Sequence, residues 1–156
     1  MTEAYISATF EDLEECRKAV RGALELFGLP FRTMEKYVAG NRPPLARCLA
    51  DVESCDIYIG IFAWQYGESP PKQSKSFTHL EYEHAVAKGK DCLIFLLSPN
   101  APWPVKFVDR GPKAAQVDAL RKVLQTEHLC NFFDSPGRLA LLVYVAVHQL
   151  LEERAR

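Results

Sequence analysis

Strand-like segments that alternate strictly with helical ones predict an α/β fold, a three-layer sandwich with a five-stranded parallel sheet between helices. Two strands carry the prediction. The runs Asp56 to Ala63 (DIYIGIFA) and Cys92 to Leu97 (CLIFLL) are almost wholly apolar, as central strands covered on both faces must be. A third observation is punctuation: Gly28 and Gly89 each follow a helical stripe and end it.

Ala4 to Ala8 (AYISA) reads as a short buried first strand, leaving at the polar elbow Ser7-Ala8-Thr9. A helix follows, with Leu13, Cys16, Val20, Ala23, Leu24 and Phe27 at helical spacing and Glu11 and Asp12 in its first turn. Phe31 to Tyr37 alternates and predicts an edge strand. Asn41-Arg42-Pro43-Pro44 opens a second helix, proline suiting a first turn whose N–H groups lack partners, with Leu45, Cys48, Leu49 and Val52 on one face. After the strand Asp56 to Ala63, the loop Glu68 to Lys75 leads to a helix from Phe77 to Lys88. The irregular stretch Pro99 to Gly111, rich in proline and aromatics, follows the strand Cys92 to Leu97 as a candidate lid or wall. A helix over Lys113 to Gln125, a strand over Leu129 to Phe133 and a closing helix over Ser135 to Arg154 complete the order β-α-β-α-β-α-β-α-β-α.

Five strands so connected favour the flavodoxin-like order 2-1-3-4-5. The winding then reverses between strands one and three, so the ligand crevice is expected beyond Ser7, Ala8, Thr9 and Phe10 and beyond Trp64 and Tyr66. The helix after strand three carries Glu81 toward that crevice. On a helical wheel Glu81 shares the apolar, inward side with Thr78, Tyr82 and Ala85, whereas Glu83 points nearly opposite.

Composition bounds the rest. The 156 residues, 48% hydrophobic, suffice for one domain with a sizeable core, expected to span 1–156. Charged residues are 25% with a net charge of −1, and the basic ones are scattered, which argues against a nucleic-acid partner. No apolar run reaches membrane-spanning length, and the acidic start Met1-Thr2-Glu3 predicts no signal or transit peptide. Five widely spaced cysteines (Cys16, Cys48, Cys55, Cys92, Cys130) without C-x-x-C point to free thiols in a reducing cytoplasm.

The familiar phosphate-binding glycine motifs are absent, so neither a redox dinucleotide domain nor a P-loop ATPase is expected. Ser7 and Thr9 hydroxyls with helix N–H groups could meet a phosphate or ribose, or Thr9 could simply cap its helix with Asp12. Thr78-x-x-Glu81 likewise fits a capping box, yet a carboxylate in an apolar crevice could also stabilise an oxocarbenium-like centre. Trp64, Tyr66 and Trp103 could stack on a planar base or pack a core or lid. His79, Glu83 and His84 diverge in helical angle and make no metal site. His128 and His148 read as packing or surface residues, and Ser7 lacks the G-x-S-x-G context of a serine hydrolase.

Three segments in order, Tyr5-Ile6-Ser7-Ala8-Thr9-Phe10-Glu11-Asp12-Leu13, Cys55-Asp56-Ile57 through Trp64-Gln65-Tyr66-Gly67, and Ser76-x-Thr78-x-x-Glu81-Tyr82-Glu83-x-Ala85, carry a family resemblance. Over nearly the whole chain they resemble the TIR-like domain of unknown function at the N-terminus of STAND-class signalling NTPases. The resemblance implies a front-end module of a larger sensor or defence protein, self-association through TIR-like contacts, and NTPase or repeat domains as C-terminal partners. Many relatives in the wider superfamily, which includes nucleoside deoxyribosyltransferases, cleave a ribose–base bond with a helix-borne glutamate. That implies Glu81 as the catalytic group, Thr78 in its motif, Ser7 to Phe10 on the sugar and phosphate side, and Trp64 or Tyr66 on the base side. NAD⁺ would be substrate, with no cofactor required. A scaffold without catalysis, or a nucleotide sensor without turnover, are the alternative expectations.

Overall fold

The computed structural model describes residues 2–33 and 44–156. Its sheet has the order β2-β1-β3-β4-β5 with every pair parallel, the expected flavodoxin-like arrangement. The strands are β1 (Ala4–Ala8), β2 (Phe31–Arg32), β3 (Ile57–Phe62), β4 (Asp91–Leu97) and β5 (Asn131–Phe133). Between and after them run α1 (Glu14–Leu26), α2 (Leu45–Ser54), α3 (Phe77–Ala87), α4 (Pro112–Glu127) and α5 (Pro136–Arg154).

Alternation along the strands sorts side chains into two cores. Ala4, Ile6, Ala8, Ile59, Ile61 and Phe95 face α1 and α5, where Val20, Leu24, Leu139 and Val143 meet them. Tyr5, Tyr58, Phe62, Ile94 and Leu96 face the other way, onto Val52 of α2, Tyr82 and Ala85 of α3, and Leu120 and Leu124 of α4. Each large apolar side chain so buried contributes on the order of 1.5–3 kcal/mol before entropy is counted. The second layer is the aromatic one, and it holds the hydroxyls that surround Glu81.

Several boundaries differ from expectation, each for a local reason. Helix α1 starts at Glu14, after the Glu11 and Asp12 expected in its first turn, because Thr9 to Leu13 form a turn held by side-chain contacts. Strand β2 ends at Arg32, where pairing with β1 stops after Tyr5 opposite Arg32, and most of the expected strand to Tyr37 lies outside the described residues. Asn41 to Pro43, expected to open α2, also lie outside them, and the described helix begins after Pro44. Strand β5 is shorter than Leu129 to Phe133 because Leu129 is exposed and pairing begins at Asn131. Of the cysteines, Cys16, Cys48 and Cys55 are buried and Cys92 and Cys130 partly so, all as free thiols. Burial pushes Cys16 up to about 12, which leaves it an inert apolar filler. No helix among the described residues is long and apolar enough to cross a membrane.

Candidate functional site

Residues two apart on β1 share a face, so Tyr5 and Ser7 both project toward α2 and α3. Parallel register sets Tyr5 opposite Tyr58 and Ser7 opposite Gly60 of β3. Gly60 has no room for a side chain, since a Cβ there would lie 2.7 Å from the Phe62 ring and 3.2 Å from the Tyr58 hydroxyl. The missing methyl leaves room for the Phe62 ring and the Tyr58 hydroxyl.

The helix side chain that meets Tyr5 and Ser7 is Glu81. The first turn of α3 is capped by Ser76, whose Oγ accepts a hydrogen bond from the His79 N–H at 3.2 Å. Thr78 is therefore inside the helix, and the expected Thr78–Glu81 capping box does not form. Glu81 instead reaches across to the sheet. Its Oε1 accepts from Ser7 Oγ at 2.8 Å and its Oε2 from the Tyr5 hydroxyl, and the residue is 0% exposed. Burial first, and then the Glu81 carboxyl, hold the Tyr5 phenol well above its ordinary pKa, so it remains a donor. Tyr58 is fully buried alongside, and burial raises its phenol pKa strongly against a smaller opposite pull from Ser7. The inward placement of Glu81 and the outward placement of Glu83, which pairs with Lys75 at 2.8 Å, agree with the helical wheel.

The elbow after β1 forms a second polar knot. Thr9 Oγ1 donates to Asp12 Oδ1 at 2.5 Å, and the buried Arg17 donates from Nη1 to the Thr9 carbonyl at 2.5 Å. Arg17 also lies 5.0 Å from the ring centre of Phe10, a residue otherwise open to solvent. Thr9 therefore ties the elbow rather than capping α1, whose Ncap Leu13 has no side-chain bond. Burial pushes the Asp12 carboxyl up to about 6, with Thr9 opposing the rise and Asp109 adding to it. Asp109 in turn accepts from the Tyr66 N–H at 2.6 Å.

The residues named from sequence fall into two groups. Ser7 and Glu81 are in direct contact, and Thr9 and Thr78 close around Gly67, where a Cβ would lie 3.0 Å from Thr9 Cγ2 and 3.8 Å from Thr78 Oγ1. Ala8 is buried in the opposite core, and Phe10 stands exposed at the elbow. Tyr66 is buried, its hydroxyl 2.6 Å from His79 Nδ1. Burial lowers the pKa of that imidazole, keeping it neutral enough to share the proton. Trp64 is turned toward α4, with the Arg121 guanidinium 4.0 Å from its ring centre. Sequence reasoning misses Tyr5, although its separation of two from Ser7 on a strand is the available signal. It also misses Arg121, whose buried position in α4 only the folded chain reveals.

A family model described as "Domain of unknown function (DUF4062)" matches residues 3–148, and the chain belongs to that family. No curated protein matches. Among solved structures, the chain is similar to a flavodoxin-like domain of a Synechococcus sp. protein, at 12% identity over 96% of this chain and 99% of that one, TM-score 0.47. It is also similar to a flavodoxin from the domain Archaea, at 10% identity over 95% and 99%, TM-score 0.45. A diflavin flavoprotein A3 from Nostoc sp. matches at 11% identity over 97% and 96%, TM-score 0.44.

Proposed function

We propose that this DUF4062 domain is a TIR-like signalling or effector domain that hydrolyses NAD⁺ at the nicotinamide–ribose bond when several copies assemble, with Glu81 as its catalytic carboxylate. The observation that supports this reading is the placement of Glu81. A helix-borne acid is held by two hydroxyls, from Tyr5 and Ser7, above the strands where the winding of the sheet reverses. In the proposed reaction the C1′–N bond breaks and nicotinamide leaves with the bonding pair as a neutral base. Positive charge developing on the ribose is stabilised by Glu81, a water oxygen adds at C1′, and its proton goes to solvent. The products are ADP-ribose, nicotinamide and one proton.

Glu81 is 0% exposed, so turnover needs an opening that assembly would supply. The same burial favours a second reading, a non-catalytic interaction domain in which Glu81 serves only to tie α3 to β1. Incubating NAD⁺ with dilute domain and with domain clustered on a multivalent scaffold, and measuring nicotinamide by chromatography, separates the two. The catalytic reading expects release from the clustered domain, lost in Glu81→Ala. No release from clusters supports the interaction domain, and release that survives the substitution sinks the assignment of Glu81.

A further inference from the structure

A concavity separate from Glu81 lies where α4 passes the C-terminal ends of β3, β4 and β5. It is a cavity of about 470 Å³, within the size range of small-molecule sites. Trp64 and Phe132 contribute aromatic walls, and Phe132 is exposed to 45% although it sits in a strand. Arg121 forms part of the lining and is itself 4% exposed. Its guanidinium donates to the carbonyls of Phe62 and Ala63 at 3.3 and 3.2 Å and to that of Leu97 at 2.6 Å. It therefore bridges the ends of β3 and β4, and its position 4.0 Å from the Trp64 ring centre holds the indole in place. Lys122, one residue along α4, is exposed at the rim, with Asp118 one turn before it and Gln125 beyond. Two cations thus stand against one carboxylate around an aromatic-walled hollow.

We propose that this cavity binds a planar heteroaromatic group carrying a phosphate, a mononucleotide, with the ring between Trp64 and Phe132 and the phosphate at Lys122. Both terminal nitrogens of Arg121 donate to the strand ends, so its charge acts through the field while Lys122 makes the direct contact. Asp118 and Gln125 are placed to meet hydrogen-bonding groups on the edge of the ring or on the ribose. Burial lowers the Arg121 pKa to about 10, which still leaves it cationic at neutral pH. This site does not depend on Glu81 being catalytic.

Isothermal titration with AMP, adenosine and inorganic phosphate tests it on the whole domain. The expected result is AMP binding that exceeds both adenosine and phosphate and weakens by about tenfold or more in Lys122→Glu, the scale of losing one charge-assisted contact. Lys122 is exposed, so that variant folds. No AMP binding at millimolar concentration, or binding indifferent to Lys122→Glu, overturns the site. Phosphate binding as tightly as AMP overturns the role of the aromatic walls.

Discussion

At the scale of single residues, the chain concentrates polar groups where an α/β core is usually apolar, and Glu81 and Thr9 themselves have definite counterparts. Glu81 accepts from Tyr5 and Ser7, and removing either donor takes a hydrogen bond from a buried carboxyl group. Tyr5→Phe should therefore lower stability by about 1–3 kcal/mol, read as a shift in the urea midpoint with unchanged slope. An unshifted midpoint would mean that the phenol contributes nothing to holding Glu81.

Asp12 gives a pH signature of opposite sign to the usual carboxylate. Its folded pKa, about 6, lies above the ordinary 3.8, so the native state holds the proton to higher pH than the unfolded chain. Its contribution is fully present below pH 3.8 and is lost as pH rises through about 6. A displacement of that size is worth roughly 3 kcal/mol at most. Asp12→Asn keeps an acceptor for Thr9 and cannot ionise. Its stability relative to the parent chain should rise between about pH 4 and pH 7, measured by urea unfolding across that range. A difference that stays constant across those pH values would contradict the buried-carboxyl account.

At the scale of elements, what is legible in the sequence follows from periodicity, and what is not follows from contacts between distant segments. The inward face of α3 is readable because Thr78, Glu81, Tyr82 and Ala85 recur at helical spacing, and all four are buried. Its cap is less legible. Ser76 and Thr78 are both competent caps, and Ser76 takes the role because its Oγ accepts from His79 N–H. Ser76→Ala should cost about 1 kcal/mol, whereas Thr78→Ala should leave the cap intact, a contrast measurable by thermal unfolding. The start of α1 falls later than its pattern suggests because Asp12 and Arg17 both bond Thr9 and hold the chain in a turn until Leu13. Strand β3 is plain in its apolar run, but the value of Gly60 inside it is not. Only the register opposite Ser7, with the Phe62 ring alongside, shows why a side chain is excluded there.

At the scale of the whole molecule, the strand order follows from simple counting of alternating elements and the right-handed crossover rule. The place where the winding reverses follows from that order. The partners gathered there do not, since Tyr5 and Glu81 are 76 residues apart and no local pattern links them. Trp64 illustrates the same limit. Its place just after β3 associates it with Glu81, yet Arg121 of α4 holds it toward the β4 and β5 side of the sheet. Glu81, a buried acid, and Arg121, a buried cation, are thus separate polar centres on a single sheet, apart from the knot at Thr9.

The most direct test of the central claim compares Glu81 with its neighbour on the other face of α3. Nicotinamide release from NAD⁺ by the clustered domain should fall by about a hundredfold or more in Glu81→Gln, the usual weight of an electrostatic catalytic group. It should be unchanged in Glu83→Gln, which loses only the surface contacts of Glu83 with Lys75 and with His79 Nε2. Equal rates in the two variants, with both folded, would contradict a catalytic role for Glu81.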